Sequence, residues 1–141
     1  MSILGPTYRF AVENRTGQTI STAGGVVLRI RPWKISSAGE IIFDSSFSTI
    51  LNLSFVPLGG ATSVGNLGYL YSNIIDNLAN AYIGAEVELT VTAPVSSNGN
   101  VILYLERSVD GGATWTDAGL GQILGDILFT TSGTKRLVIH L

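Results

Sequence analysis

Nearly every apolar run in this chain alternates with polar residues two by two, and that habit decides what it can become. The clearest case is AEVELTVTAPV, in which Val87, Leu89 and Val91 are interleaved with Glu86, Glu88 and Thr90. Successive side chains on an extended strand point to opposite faces, so such a run has one wet and one dry face. A helix would scatter the same valines around its circumference. TYRFAVEN sets Tyr8, Phe10 and Val12 against Arg9 and Glu13, and GGVVLRIRPWKI sets Val26, Leu28 and Ile30 against Arg29 and Arg31. NVILYLERS sets Val101, Leu103 and Leu105 against Ile102, Tyr104 and Glu106. Pro32 has no N–H to give to a ladder, so its strand is expected to be an edge or to break there.

Turn chemistry separates these runs. NRTGQT, SSAGE, SSNGN and TSGT each carry the small and polar residues that tight connections need. PLGGATSVGN, residues 57–66, reads as a long Gly-rich loop. In LGYLYSNIIDNLANAY the spacing of Leu70, Ile74 and Leu78 would suit a turn or two of helix, but its Asn, Ser and Gly content favours irregular structure. IIFDS, FSTILNLSFVPL, QILGDILFT and KRLVIHL supply further strands. About eight short strands with turns between them point to an all-β protein, an antiparallel sandwich of the jelly-roll kind. The expected organisation is an extended N-terminal arm over residues 1–7 and a single sandwich domain over 8–141. A chain of 141 residues can bury one sufficient core without disulfides.

The composition narrows function by subtraction. With no cysteine there is no thiol nucleophile, disulfide framework or Cys-based zinc site. A net charge of −2 with 8 basic residues offers no electrostatic footprint for nucleic acid. No stretch reaches the roughly 20 apolar residues of a membrane helix, and MSILGPTYRF lacks the basic and long apolar regions of a secretion signal. Charged residues make up only 13%, about half the usual share, while mean hydropathy is +0.38. So thin a charged coat suggests a surface partly covered by neighbouring subunits.

Candidate chemistry is sparse. The one histidine, His140, lies near the end of the last strand and reads as a surface or interface residue. Glu86 and Glu88 share a strand face at about 7 Å, superficially the spacing of an acid/base pair, but two outward carboxylates on a strand more often form a solvated face. Asp110, Asp117 and Asp126 lack the spacing of a calcium loop. Asn14-Arg15-Thr16 and Asn52-Leu53-Ser54 match glycosylation acceptors, a short pattern that is common by chance. No catalytic residue, metal site or cofactor is expected, and the chain does not read as an enzyme.

SVDGGATW is the most motif-like stretch. Its Ser108, Asp110, Gly112 and Trp115 fit S-x-D-x-G-x-x-W, and it resembles the Asp-box of sialidases and other carbohydrate-acting β proteins. In those families the motif recurs on propeller blades away from the catalytic centre; here it occurs once. The resemblance implies a structural hairpin: Asp110 accepts backbone amides, Gly111 and Gly112 take positive φ, and Trp115 folds back as an apolar plug. Trp115, Tyr104 or Trp33 could also stack against a sugar.

A wider resemblance comes from the succession IIDNLANAYIGAEVELTV, GNVILYLERSVDGGATW and KRLVIHL, and from TYRFAVENRTGQTI followed by VVLRIRPWKISSAGEI. Together these are similar to small virion proteins of tailed bacteriophages, most of all to jelly-roll capsid decoration, or cement, proteins. The resemblance implies a non-enzymatic structural protein on the phage head surface. It would form a homotrimer that binds between major capsid protein subunits, with no direct contact to nucleic acid or membrane. Residues expected at its contacts are Arg29, Arg31, Trp33 and Tyr8, together with the N-terminal arm. The alternative is a phage tail or receptor-binding module that recognises a host surface glycan.

Overall fold

The alternating runs become strands of two facing sheets. The computed structural model describes residues 4–21, 25–44, 48–51, 63–115 and 122–141, with the backbone alone for 48–51. The strands are β1 Thr7–Arg15, β2 Ile20–Ser21, β3 Val26–Ile35, β4 Ile41–Phe43, β5 Ser48–Leu51 and β6 Ser63–Val64. They continue with β7 Tyr69–Tyr71, β8 Ile75–Asp76, β9 Gly84–Ala93, β10 Gly99–Ser108, β11 Gln122–Phe129 and β12 Gly133–His140. No helix occurs among the described residues.

One sheet runs β11-β10-β1, with β7 and β8 both pairing the far side of β1. The other runs β12-β9-β3, with β4 and β5 both pairing the far side of β3. β2 and β6 form a small ribbon of their own. Every pairing is antiparallel. The chain changes sheet between β9 and β10 and again between β11 and β12, so the protein is an all-β antiparallel sandwich. The nested pairing of β1 with β10 and β3 with β9 is consistent with jelly-roll winding.

The inner faces meet in one apolar core. Phe10, Val12, Leu103 and Leu105 from the first sheet face Leu28, Val87, Leu89 and Val91 from the second, and Leu4 and Phe129 complete the same cluster. Burying each such side chain stabilises the fold by about 1.5–3 kcal/mol. Thr7 of the expected arm already pairs in β1. Leu4 is buried, and Gly5 and Pro6 accept hydrogen bonds from Asn77; residues 1–3 lie outside the described residues.

Buried polar side chains staple the loops to this core. The Asn14 amide donates to the carbonyls of Gln18 (2.7 Å) and Val64 (3.0 Å). Its oxygen accepts from the Thr16 backbone N–H and hydroxyl. Asn14 is thus committed to the fold and cannot accept a glycan in the folded chain; Asn52 lies outside the described residues. Asn77 plays a similar part over 77–82: it donates to Gly5 and Tyr82 carbonyls and accepts the Tyr82 N–H. Residues 67–82, expected to be irregular, hold the short strands β7 and β8 with turns around them, and Leu70 is buried while Ile74 and Leu78 are exposed.

Pro32 sits inside β3, which is neither an edge nor interrupted. The Pro32 carbonyl accepts the Asp44 N–H on the side away from β9. The two backbone groups of one strand residue point the same way, so the missing donor faces the place where β3 exchanges its partner β5 for β4. The proline breaks the neighbour, not the strand.

Candidate functional site

The outer face of the first sheet carries the densest polar and aromatic cluster. Register builds it: on β1, Arg9 lies opposite Glu106, Ala11 opposite both Tyr104 and Tyr71, and Glu13 opposite Tyr69. Arg9 Nε donates to Glu106 at 2.6 Å. The Arg9 guanidinium lies between two rings, 4.2 Å from the centroid of Tyr71 and 4.2 Å from that of Trp115. Tyr71 continues the row to Tyr69 (6.2 Å, nearly parallel), and Tyr69 to Tyr104 (6.3 Å, tilted). At the far end, Glu13 accepts the Tyr104 hydroxyl (2.5 Å) and Arg15 Nε (2.7 Å).

These contacts bury side chains that alternation assigns to solvent. Ile102, Tyr104 and Glu106 point outward from β10 yet are all buried, because residues far away in sequence lie across them. Burial pushes the Glu13 carboxyl up, but hydrogen bonds from Arg15 and Tyr104 and the Arg15 charge outweigh it, leaving Glu13 below the usual carboxylate value. Burial first, and then the Glu13 carboxylate, push the Tyr104 phenol up to about 12. The two Arg and two Glu side chains pair off, so the cluster has no net charge.

The 108–115 turn closes one end of this row. Buried Ser108 donates through Oγ to Asp110 Oδ1 (2.6 Å) and accepts the Gly112 N–H (2.9 Å). Asp110 Oδ1 accepts the Thr114 N–H (2.9 Å), and its other oxygen takes the Thr114 hydroxyl. These bonds, with Ser108 first and Thr114 next, hold the Asp110 carboxyl well below the usual carboxylate range. Gly111 and Gly112 take φ of 72° and 96°, in the left-handed region that side chains disfavour. Trp115 does fold back, but not as a core plug: it is half-buried on the sheet exterior and caps Arg9.

The outer face of the second sheet is an ionic ladder. Glu88 lies between Arg29 (3.7 Å) and Arg136 (3.4 Å). Glu86 accepts Arg31 Nε at 2.8 Å and faces His140 at 3.5 Å. Glu86 and Glu88 are each flanked by basic groups and do not form an isolated carboxylate pair. Arg29, Arg31 and Trp33 share this outer face of β3, and Trp33 Nε1 donates to the Leu141 carbonyl (2.9 Å). Tyr8, expected at a contact surface, is instead 1% exposed and packs edge-on against Phe10 in the core. It shares the inward phase of Phe10 and Val12.

Beyond Trp33 the β3–β4 hairpin is apolar on both faces: Ile35, Ile41, Ile42 and Phe43 are 50%, 62%, 45% and 41% exposed. β4 is the outermost strand of its sheet among the described residues. The IIF run, which lacks polar alternation, was the available signal for this patch. Among the described residues no group of His, Asp or Glu could hold a metal, and no helix is long and apolar enough to cross a membrane. Asp126 takes the Asn100 amide, and Asp117 lies outside the described residues. No protein-family model, curated protein or solved structure matches the chain.

Proposed function

We propose that this protein is a non-enzymatic structural component of a tailed-phage particle. It acts as a decoration or cement protein that sits as a homotrimer on the head surface and binds between major capsid protein subunits. The observation that carries the reading is the β3–β4 hairpin. Three large apolar side chains are exposed on β4 and a fourth, Ile35, at the end of β3. Among the described residues β4 pairs only β3, and a partner can cover all four while pairing the other edge of β4. Burying an Ile or Phe fully is favourable by about 1.5–3 kcal/mol, against the freedom lost on association. One such contact is modest, and repetition within a trimer and again over a symmetric shell makes it firm. The sparse charge, 13% of residues, lowers the desolvation cost of covering other faces as well.

Copy counting tests the reading. In particles purified from cells infected by a phage that encodes the chain, quantitative mass spectrometry should find it in hundreds of copies. Stripping it should lower the temperature at which heads release DNA. A handful of copies per particle, or heads indifferent to its removal, would reject the cement role.

A further inference from the structure

We propose that the outer face of the first sheet binds a neutral polysaccharide chain along the row Trp115, Arg9, Tyr71 and Tyr69. The inference is independent of the assembly reading, which rests on the other sheet. Three observations carry it. The row is rigid: its planar groups stack on one another across three separate elements, so little side-chain freedom is lost on binding. It keeps unused hydrogen-bonding capacity: among the described residues, neither the Arg9 terminal amines nor the Tyr71 hydroxyl has a partner. Its charges are internally paired, Arg9 with Glu106 and Arg15 with Glu13, so it exerts little pull on an anion or a cation.

A ligand suited to this face must offer oxygens to the electropositive ring edges and to the guanidinium donors, and hydroxyls to the phenol, without net charge. A neutral pyranose does this through its ring of hydroxyls. The rims lie on an open sheet face and not in a closed cavity, so an extended chain of sugars fits better than a single one. Half-exposed Trp115 and Tyr69, at 36% exposure, mark the ends of the track.

The experiment is a titration of the full chain with four neutral soluble polysaccharides (dextran, glucomannan, galactan and xylan) and with anionic polygalacturonate. Binding is read by calorimetry and by tryptophan fluorescence. Trp33 lies on the opposite sheet, so Trp33→Phe leaves Trp115 as the sole reporter. Saturable binding to at least one neutral polymer is expected. It should persist in Trp33→Phe and weaken at least tenfold in both Tyr69→Ala and Trp115→Ala, each confirmed as folded by circular dichroism. If one of those variants does not fold, the other and Tyr71→Phe, which removes only a hydroxyl, still decide. No neutral polymer bound, binding only to polygalacturonate, or binding untouched by the variants would overturn the proposal. So would loss of particle incorporation in Trp115→Ala with no sugar bound, which would make the face a protein contact.

Discussion

Replacing Arg9 by alanine removes three interactions at once, and their sizes can be worked from the structure. Glu106 is 4% exposed and would keep its carboxylate buried without a cation. Breaking a fully buried pair costs about 3–5 kcal/mol, but the Arg9 side chain is itself 21% exposed, which discounts the loss to roughly 2 kcal/mol. The two ring contacts add about 0.5–1 kcal/mol each, so Arg9→Ala is expected to cost about 3 kcal/mol. At this chain length that is roughly a 10 °C fall in Tm. Glu106→Gln keeps an oxygen that can accept from Arg9 and should cost about 1 kcal/mol. Combining the two changes should cost less than their sum by about 1–2 kcal/mol, since the carboxylate stranded in one variant is absent from the double. Urea denaturation followed by circular dichroism gives the global values. Trp115 fluorescence in a Trp33→Phe background reports the turn, and it should shift to the red in Arg9→Ala. An Arg9→Ala protein within 0.5 kcal/mol of the parent, or a strictly additive double variant, would refute the buried-pair reasoning.

Three further outcomes are expected. In Gly84→Ala the new Cβ would overlap the Leu141 carbonyl oxygen and lie 2.7 Å from the Trp33 ring, so the backbone at Leu141 must move and stability should fall by about 1–3 kcal/mol; an unchanged denaturation curve contradicts the close approach. Asn14→Ala strands the Gln18 and Val64 carbonyls and the Thr16 N–H that its side chain serves. It should cost about 3 kcal/mol and open the 16–20 connection to limited proteolysis, and resistance equal to the parent would count against the staple. Tyr104, with a folded value of about 12 against roughly 10 unfolded, binds its proton more tightly in the native state. Its contribution is complete below about pH 10 and is lost as pH rises through 12, so Tyr104→Phe should flatten the alkaline branch of a Tm-against-pH curve. Glu13 has the opposite sign: its folded value is lowered, so its contribution holds above the ordinary carboxylate range and fades as pH falls through the folded value.

The strands and the inner faces were legible because alternation is a local property. Val87, Leu89 and Val91 declare the core side of β9 without any knowledge of what lies opposite, and β1 follows the same rule from Tyr8 to Val12. Applied consistently, that rule puts Tyr8 inside, against the expectation that set it at a contact. The outer cluster was illegible for the converse reason. Arg9 and Glu106 are 97 positions apart and meet only because β1 and β10 pair in one register. Tyr69 and Tyr71 come from a segment whose polar composition promised irregular structure. The Asp-box spacing was readable as a turn, but the destination of Trp115 was not, since the surface it caps belongs to β1. Pro32 shows the limit of a one-strand argument: a missing donor harms only the side it faces, and that side is set by the neighbours.

The proposed assembly through the exposed β3–β4 hairpin is tested most directly by native mass spectrometry of the purified protein. Three copies of the 14.9 kDa chain are predicted in one particle at micromolar concentration, reverting to single chains in an Ile41→Lys, Phe43→Ser double variant that keeps the parent's circular dichroism spectrum. A lone 14.9 kDa species at every concentration, or a trimer indifferent to those two substitutions, would contradict it.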